Sequence, residues 1–168
     1  MRLFYGFLSK VLPIDIAYAH CDIPCKIYDP YAAQVAAHSV IRMTQMIEEM
    51  PEPTKEPSFE ERKKIISQVS RLTKVKEDHA EIVKREVRII WGDYFKEEQI
   101  KKFPEVHELV HGIMMLASKT KQEIDIESSK KLLSEVQKFA EIFYKTKGFE
   151  VIRIPSGFPT EGEIVSHK

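Results

Sequence analysis

Cys21 and Cys25 are the only two cysteines in the chain, and His20 stands directly before the first of them. Two thiols and an imidazole on one short segment make a donor set for a soft or borderline metal. The spacing does not match a zinc finger, which needs a second ligand cluster, and the chain has no second cysteine cluster. A disulfide between these two would close a loop too short to constrain much of the unfolded chain. Thiol oxidoreductases use C-x-x-C, whereas this segment reads C-x-x-x-C. The other histidines, His38, His79, His107, His111 and His167, are scattered. His107 and His111 share a helix face at four-residue spacing, but a pair alone lacks the further ligands of a zinc site.

What precedes His20 bears on its chemistry. Residues 1–19 carry a positive charge at Arg2, then an apolar stretch interrupted by Lys10 and Pro13, and end Ala17-Tyr18-Ala19. A small-x-small ending is where a signal-peptidase-type protease cuts. The apolar part is too short and too broken to span a membrane. The segment reads either as a secretory signal or as a processing peptide removed for chemistry. In both cases the cut makes His20 the first residue of the mature chain, so residues 1–19 are set apart from the fold.

The elements that must position this segment follow at once. Asp29-Pro30 is a cap followed by a first-turn proline, and Tyr31 to Glu49 has Ala33, Ala36, Ala37, Val40, Thr44 and Ile47 at helical spacing. Pro51, Pro53 and Pro57 mark a loop. Ser58 with Glu61 forms a capping box for a long second helix. Its stripe runs through Ile65, Val69, Leu72, Val75, His79, Ile82, Val83, Val87 and Ile90, with Lys63, Lys76, Glu81 and Arg88 covering the other faces. Gly92 favours a stop. Pro104 opens a third helix that buries Val106, Leu109, Val110, Ile113 and Leu116. Ser128 or Ser129 caps a fourth, carrying Leu132, Leu133, Val136, Phe139, Ala140 and Phe143, and Gly148 ends it.

The expected fold is all-α: an antiparallel four-helix bundle over residues 31–148, preceded by an N-terminal metal-binding hook at 20–30. In residues 149–168, Val151 to Ile154 reads as a short strand, and Pro155, Gly157, Pro159 and Gly162 as turn or tail. The 168 residues suffice for one domain with a core. Lys+Arg and Asp+Glu are both 26, so the chain lacks the basic surplus of a nucleic-acid binder.

The segment His20-Cys21-Asp22-Ile23-Pro24-Cys25-Lys26-Ile27-Tyr28-Asp29-Pro30 closely resembles the nickel hook of the nickel superoxide dismutases, H-C-D-x-P-C-x-x-Y-D-P. Trp91-Gly92-Asp93-Tyr94-Phe95-Lys96 resembles that family's W-S-D-Y-F-K, and Phe103 to Val110 its Y-P-E-L-H-Q-L-V. The likeness covers roughly residues 20–147. It implies a four-helix bundle, a homohexamer, and one-electron cycling of a thiolate-ligated nickel ion that converts superoxide to dioxygen and hydrogen peroxide.

The resemblance assigns nickel to the sulfurs of Cys21 and Cys25, the freed amine of His20 and the amide nitrogen of Cys21. The His20 imidazole is an axial ligand in the oxidised state. It also explains the leader: an uncut His20 nitrogen is a peptide amide, whereas the freed amine has a pKa of about 7.7–8.0 and can bind near neutral pH. Tyr28 orders small molecules near the metal, Asp22 steadies the hook through backbone contacts, Tyr94 matches a second such tyrosine, and Lys96 matches a nearby cation that draws in an anion. The implied partners are superoxide, a leader-removing protease and further copies of the chain, with no nucleic acid and no membrane in the mature form. The implied location is the cytoplasm, with export through the leader as the alternative. The competing functional reading is a non-enzymatic metal-binding or exported helical protein with a Cys21–Cys25 disulfide.

Three positions depart from the family pattern. Lys26 stands where glycine is common, which carries a steric cost if that position needs positive φ. Ala36 stands where a glutamate usually supports the axial imidazole, and His79 where an arginine joins that network. His79 is expected either to substitute in part, from a neighbouring subunit, or to be a histidine of the second helix's stripe.

Overall fold

The structure, a computed structural model, describes residues 26–168. The expected leader and the site residues His20, Cys21, Asp22 and Cys25 lie outside the described residues.

Helix α1 spans Tyr31–Glu48. Pro30 stands at its N-cap, one residue later than the expected cap at Asp29, and the Asp29 carboxylate accepts the Tyr31 backbone N–H at 2.7 Å, satisfying a donor that has no partner inside the helix. Ala33, Ala36, Ala37 and Val40 are all buried. Side chains this small let neighbouring helices approach closely. Helix α2 spans Phe59–Ile89 and begins with the reciprocal Ser58–Glu61 box, each side chain taking the other's backbone N–H at 3.2 Å.

The second helix does not stop at Gly92. It runs on as a π-helical turn, Ile90–Tyr94, closed by the Phe95 N–H on the Ile90 carbonyl at 3.3 Å. The aromatic anchors Trp91, Tyr94 and Phe95 pack against the core and hold the chain helical past a glycine that alone favours a stop. A short helix, α3 (Glu97–Lys102), follows and was not expected. Lys76 is also corrected. It is buried rather than solvated, and its ammonium donates to the Glu123 carbonyl at the end of the next long helix, where cations suit the helix dipole.

Helix α4 spans Val106–Gln122 and α5 spans Ile126–Thr146. The cap of α5 is Asp125, not Ser128 or Ser129. Its carboxylate accepts the Glu127 and Ser128 N–H groups, each at 3.0 Å, and the Lys119 ammonium at 2.9 Å. An ionised acceptor outcompetes a hydroxyl for these donors. The bonds from Ser128 and then Lys119 hold the Asp125 carboxyl below the usual carboxylate range. Gly148 ends α5 as expected, at φ 76°. The Phe149 N–H reaches the Tyr144 carbonyl and the Gly148 N–H reaches that of Lys145, both at 3.1 Å, the two bonds of a Schellman turn.

Among the described residues, α1 packs on α2 and α5, and α4 packs on α2 and α5. The shared core includes Val40, Val83, Val87, Val106, Ile113, Leu132, Phe139 and Phe143. None of these helices is long and apolar enough to cross a membrane.

The fold is mostly helical rather than all-α. Strand β1 (Val151–Pro155) is the expected strand, and β2 (Glu163–His167) pairs with it antiparallel, Arg153 opposite Val165. Gly157 and Gly162, both at positive φ, serve the connecting turn. Ile164 and Val165 are buried against the helices, so residues 149–168 are a packed hairpin and not a tail.

Candidate metal centre

Of the expected site residues, Tyr28 is the one whose surroundings are described. It is half-buried and packs on the core, with its ring 6.0 Å from that of Tyr94. Tyr94 is itself held on three sides. Its ring lies 5.3 Å from Phe95 and 4.9 Å from Phe143, and its hydroxyl bonds Thr146 Oγ1 at 2.7 Å. Thr146 donates its own proton to the Phe143 carbonyl, so Tyr94 is the donor in that pair. With its proton committed, Tyr94 acts as a rigid wall behind Tyr28.

The backbone ahead of Tyr28 turns at Lys26, whose φ is 60°. The sequence flagged this position as one where glycine would be easier, and the conformation bears that out. Beyond Tyr28, the Asp29 carboxylate joins two helices. It caps α1 and also accepts the Tyr144 hydroxyl from the last turn of α5, at 3.3 Å to each oxygen. Burial, together with the Asp29 charge, pushes the Tyr144 phenol up, so it stays a donor. The sequence gives no sign of this pairing, because Asp29 reads as an ordinary helix cap and Tyr144 lies 115 residues further along the chain.

Two cations border the tyrosines. Lys96 is exposed and bonds the Gly92 carbonyl at 3.3 Å. Lys147, which sequence reasoning did not single out, sits 5.6 Å over the Tyr94 ring and 4.7 Å over that of Phe143. A lysine directly after an aromatic helix end was the available signal.

The departures from the family pattern are now placed. Ala36 is buried among apolar neighbours and offers no polar group to an imidazole. His79 is half-buried, with Nδ1 against the Val75 carbonyl at 2.8 Å. It precedes Tyr94 by 15 residues, which at about 1.5 Å per residue puts it about 20 Å along the helix from the Tyr28–Tyr94 contact. His107 takes the Trp91 indole N–H at 3.0 Å, which occupies one of its nitrogens. Among the described residues no three His, Cys, Asp or Glu side chains converge to hold a metal. The donors that the sequence singles out, His20, Cys21 and Cys25, lie outside the described residues; thiolates and imidazole are ligand types that suit nickel, unlike the oxygens that hard cations take.

Comparison with known proteins shows the family. The profile of the nickel-containing superoxide dismutases matches residues 15–147. The superoxide dismutase [Ni] of Streptomyces coelicolor is 34% identical over 129 residues, which is 77% of this chain and 88% of that protein. The superoxide dismutase [Ni] of Streptomyces seoulensis is 33% identical over the same shares. A native nickel superoxide dismutase structure superposes with a TM-score of 0.65 at 32% identity, covering 76% of this chain and 99% of that one. A structure with nickel ligation corresponding to the oxidised state gives 0.66 at 29% identity, covering 77% and 99%. The chain belongs to the nickel-containing superoxide dismutase family. The competing functional reading, a non-enzymatic metal-binding or exported helical protein with a Cys21–Cys25 disulfide, gives way to the enzyme.

Proposed function

We propose that residues 1–168 are the precursor of a cytoplasmic nickel superoxide dismutase, activated by cleavage after Ala19. The reaction takes two superoxide anions and two protons to one dioxygen and one hydrogen peroxide. Bound nickel supplies the one-electron couple, with the thiolates stabilising its oxidised state. The sulfurs of Cys21 and Cys25, the freed amine and imidazole of His20, and the Cys21 amide nitrogen would hold it.

The chain's own residues do the rest. Tyr28, fixed against Tyr94, offers a hydroxyl to a small anion or peroxide product. Asp22 steadies the hook through backbone contacts. Lys96 and Lys147 add positive charge that favours an approaching anion. The four long helices form an antiparallel bundle that carries the hook, and copies assemble as a homohexamer. Because His79 lies about 20 Å along the helix from the Tyr28–Tyr94 contact, any support of the His20 imidazole by His79 comes from a neighbouring subunit.

The observation that carries this reading is the hook motif, lying inside the family-matched segment with its base Tyr28-Asp29 anchored on Tyr94 and Tyr144. The test compares the cleaved chain, the uncleaved chain and a cleaved C25S variant for bound nickel and superoxide disproportionation. The cleaved chain is expected to bind about one nickel per chain and to be active. The other two should lose at least about 100-fold in activity, the upper end for disturbed metal sites. Equal nickel binding and activity with the leader intact would sink the proposal.

A further inference from the structure

The hairpin β1–β2 lies beyond residue 147, where the family match ends, and it is docked by polar side chains buried in the helices. Gln34 is fully buried, and its carboxamide pairs with Val165 as a neighbouring strand would. Its Nε2 donates to the Val165 carbonyl at 2.9 Å, and its Oε1 accepts the Val165 N–H at 2.8 Å. One turn on, the His38 ring meets the Glu163 carbonyl and the Thr160 hydroxyl. From α5, Gln137 donates to the same carbonyl at 2.7 Å. Burying such groups is costly unless each is satisfied, so these helices are built to hold the hairpin.

The far end of β2 reaches the base of the hook. The His167 ring packs 4.7 Å from Tyr144 and stacks on Phe149 at 4.3 Å. Beneath it Tyr144 is 3% exposed. Its hydroxyl meets both oxygens of Asp29, four residues after Cys25. Without the hairpin one face of Tyr144 would open to water, which competes for the same carboxylate.

We propose that the C-terminal hairpin is a brace for the metal hook, and that Tyr144 is the positioning residue through which it acts on Asp29. The hairpin shields the Tyr144–Asp29 bond, and that bond ties the segment after Cys25 to the last turn of α5. The Tyr31 N–H on the same carboxylate makes the start of α1 part of the tie. The nickel-dependent half of this inference rests on the function proposed above.

The test uses Y144F, which keeps the ring and loses only the hydroxyl, beside a chain truncated after Gly148. Amide exchange is measured over residues 26–33 in the metal-free protein, and nickel affinity and the oxidised nickel spectrum in the cleaved, loaded one. Both variants are expected to exchange about 10-fold faster at Tyr31 with no change in α4. Nickel affinity should fall about 3- to 10-fold, less than the 10–100-fold seen when a direct partner of a ligand is lost, with an altered spectrum. Should the truncated chain fail to fold, Y144F decides alone. Wild-type exchange at Tyr31 in Y144F overturns the brace, and so does faster exchange with unchanged nickel affinity. A wild-type cleaved chain that binds no nickel overturns the function instead, and the exchange measurement still judges the brace.

Discussion

Lys26 is the residue at which chemistry and backbone conflict. An L-residue at φ 60° carries a cost of about 1–2 kcal/mol relative to right-handed backbone. Glycine would remove that cost, while the wider unfolded ensemble it allows takes back about 0.4–1 kcal/mol. K26G is therefore expected to stabilise the folded hook base by up to about 1 kcal/mol. The form to measure is the nickel-loaded one, where the turn must be ordered, by urea midpoint and by the rate of nickel loss to a chelator. A lower midpoint or faster loss would mean that the Lys26 charge matters more than its backbone. Tyr94, the second tyrosine that the motifs single out, has already given its proton to Thr146, which makes it a support for Tyr28 rather than a donor to a bound anion.

At the scale of elements, the hairpin has a built-in response to acid. A carbonyl can only accept, so His38 Nε2 carries the hydrogen that meets Glu163, while Nδ1 and the Thr160 hydroxyl bond each other at 2.8 Å. Burial favours the neutral ring, in which Nδ1 accepts from that hydroxyl. Burial lowers its pKa, with the Glu163 bond opposing in part. Arg42 from α1 and His79 from α2 line the same cavity, which holds about 250 Å³, and neither is an anion that would stabilise a charged ring. The unfolded imidazole, with a pKa of about 6.5, takes up its proton first as pH falls. The unfolded state then binds more protons, so stability declines with falling pH below about 6.5 and is flat above it. Limited proteolysis of the hairpin between pH 5 and 8 should show cleavage rising below that point, and H38Q should flatten the profile; an unchanged slope in H38Q removes His38 from the explanation. The sequence carried the helices well, because Ser58-x-x-Glu61, the alanines of α1 and Gly148 are local signals. It carried the family, through the residue types and spacing of the segment from His20 to Pro30. It did not carry β2, whose two buried residues Ile164 and Val165 are adjacent and show no period-two alternation. Nor did it show that Gln34, His38 and Lys76 are buried, since a polar residue reads as exposed until its distant partner is known.

For the whole molecule, the lengths of the helices do not match. Helix α2 has 31 residues and α1 has 18, or about 46 Å against about 27 Å at 1.5 Å per residue. Among the described residues the first turns of α2 have little cover: Phe59 is 73% and Ile66 65% exposed. A second uncovered strip lies between α4 and α5, a groove of about 710 Å³ floored by Leu109, Met115 and Leu116. Its rim is charged with both signs: Glu105 and Glu108 on the α4 side, and Lys131, Glu135, Lys138, Glu141 and Lys145 along α5. An apolar floor inside a polar rim is the anatomy of a protein contact. A chain with zero formal net charge also lacks the self-repulsion that keeps copies apart. The proposed homohexamer accounts for both surfaces. Replacing Ile66 by lysine removes apolar area worth about 25 cal/mol per Å² at each contact and sets a charge where another chain would pack. Within its own chain Ile66 is largely free of cover, so I66K should keep the helical circular dichroism and thermal midpoint of an isolated subunit while sedimentation shifts to smaller species. If I66K sediments as the parent does, the exposed start of α2 is not an assembly surface.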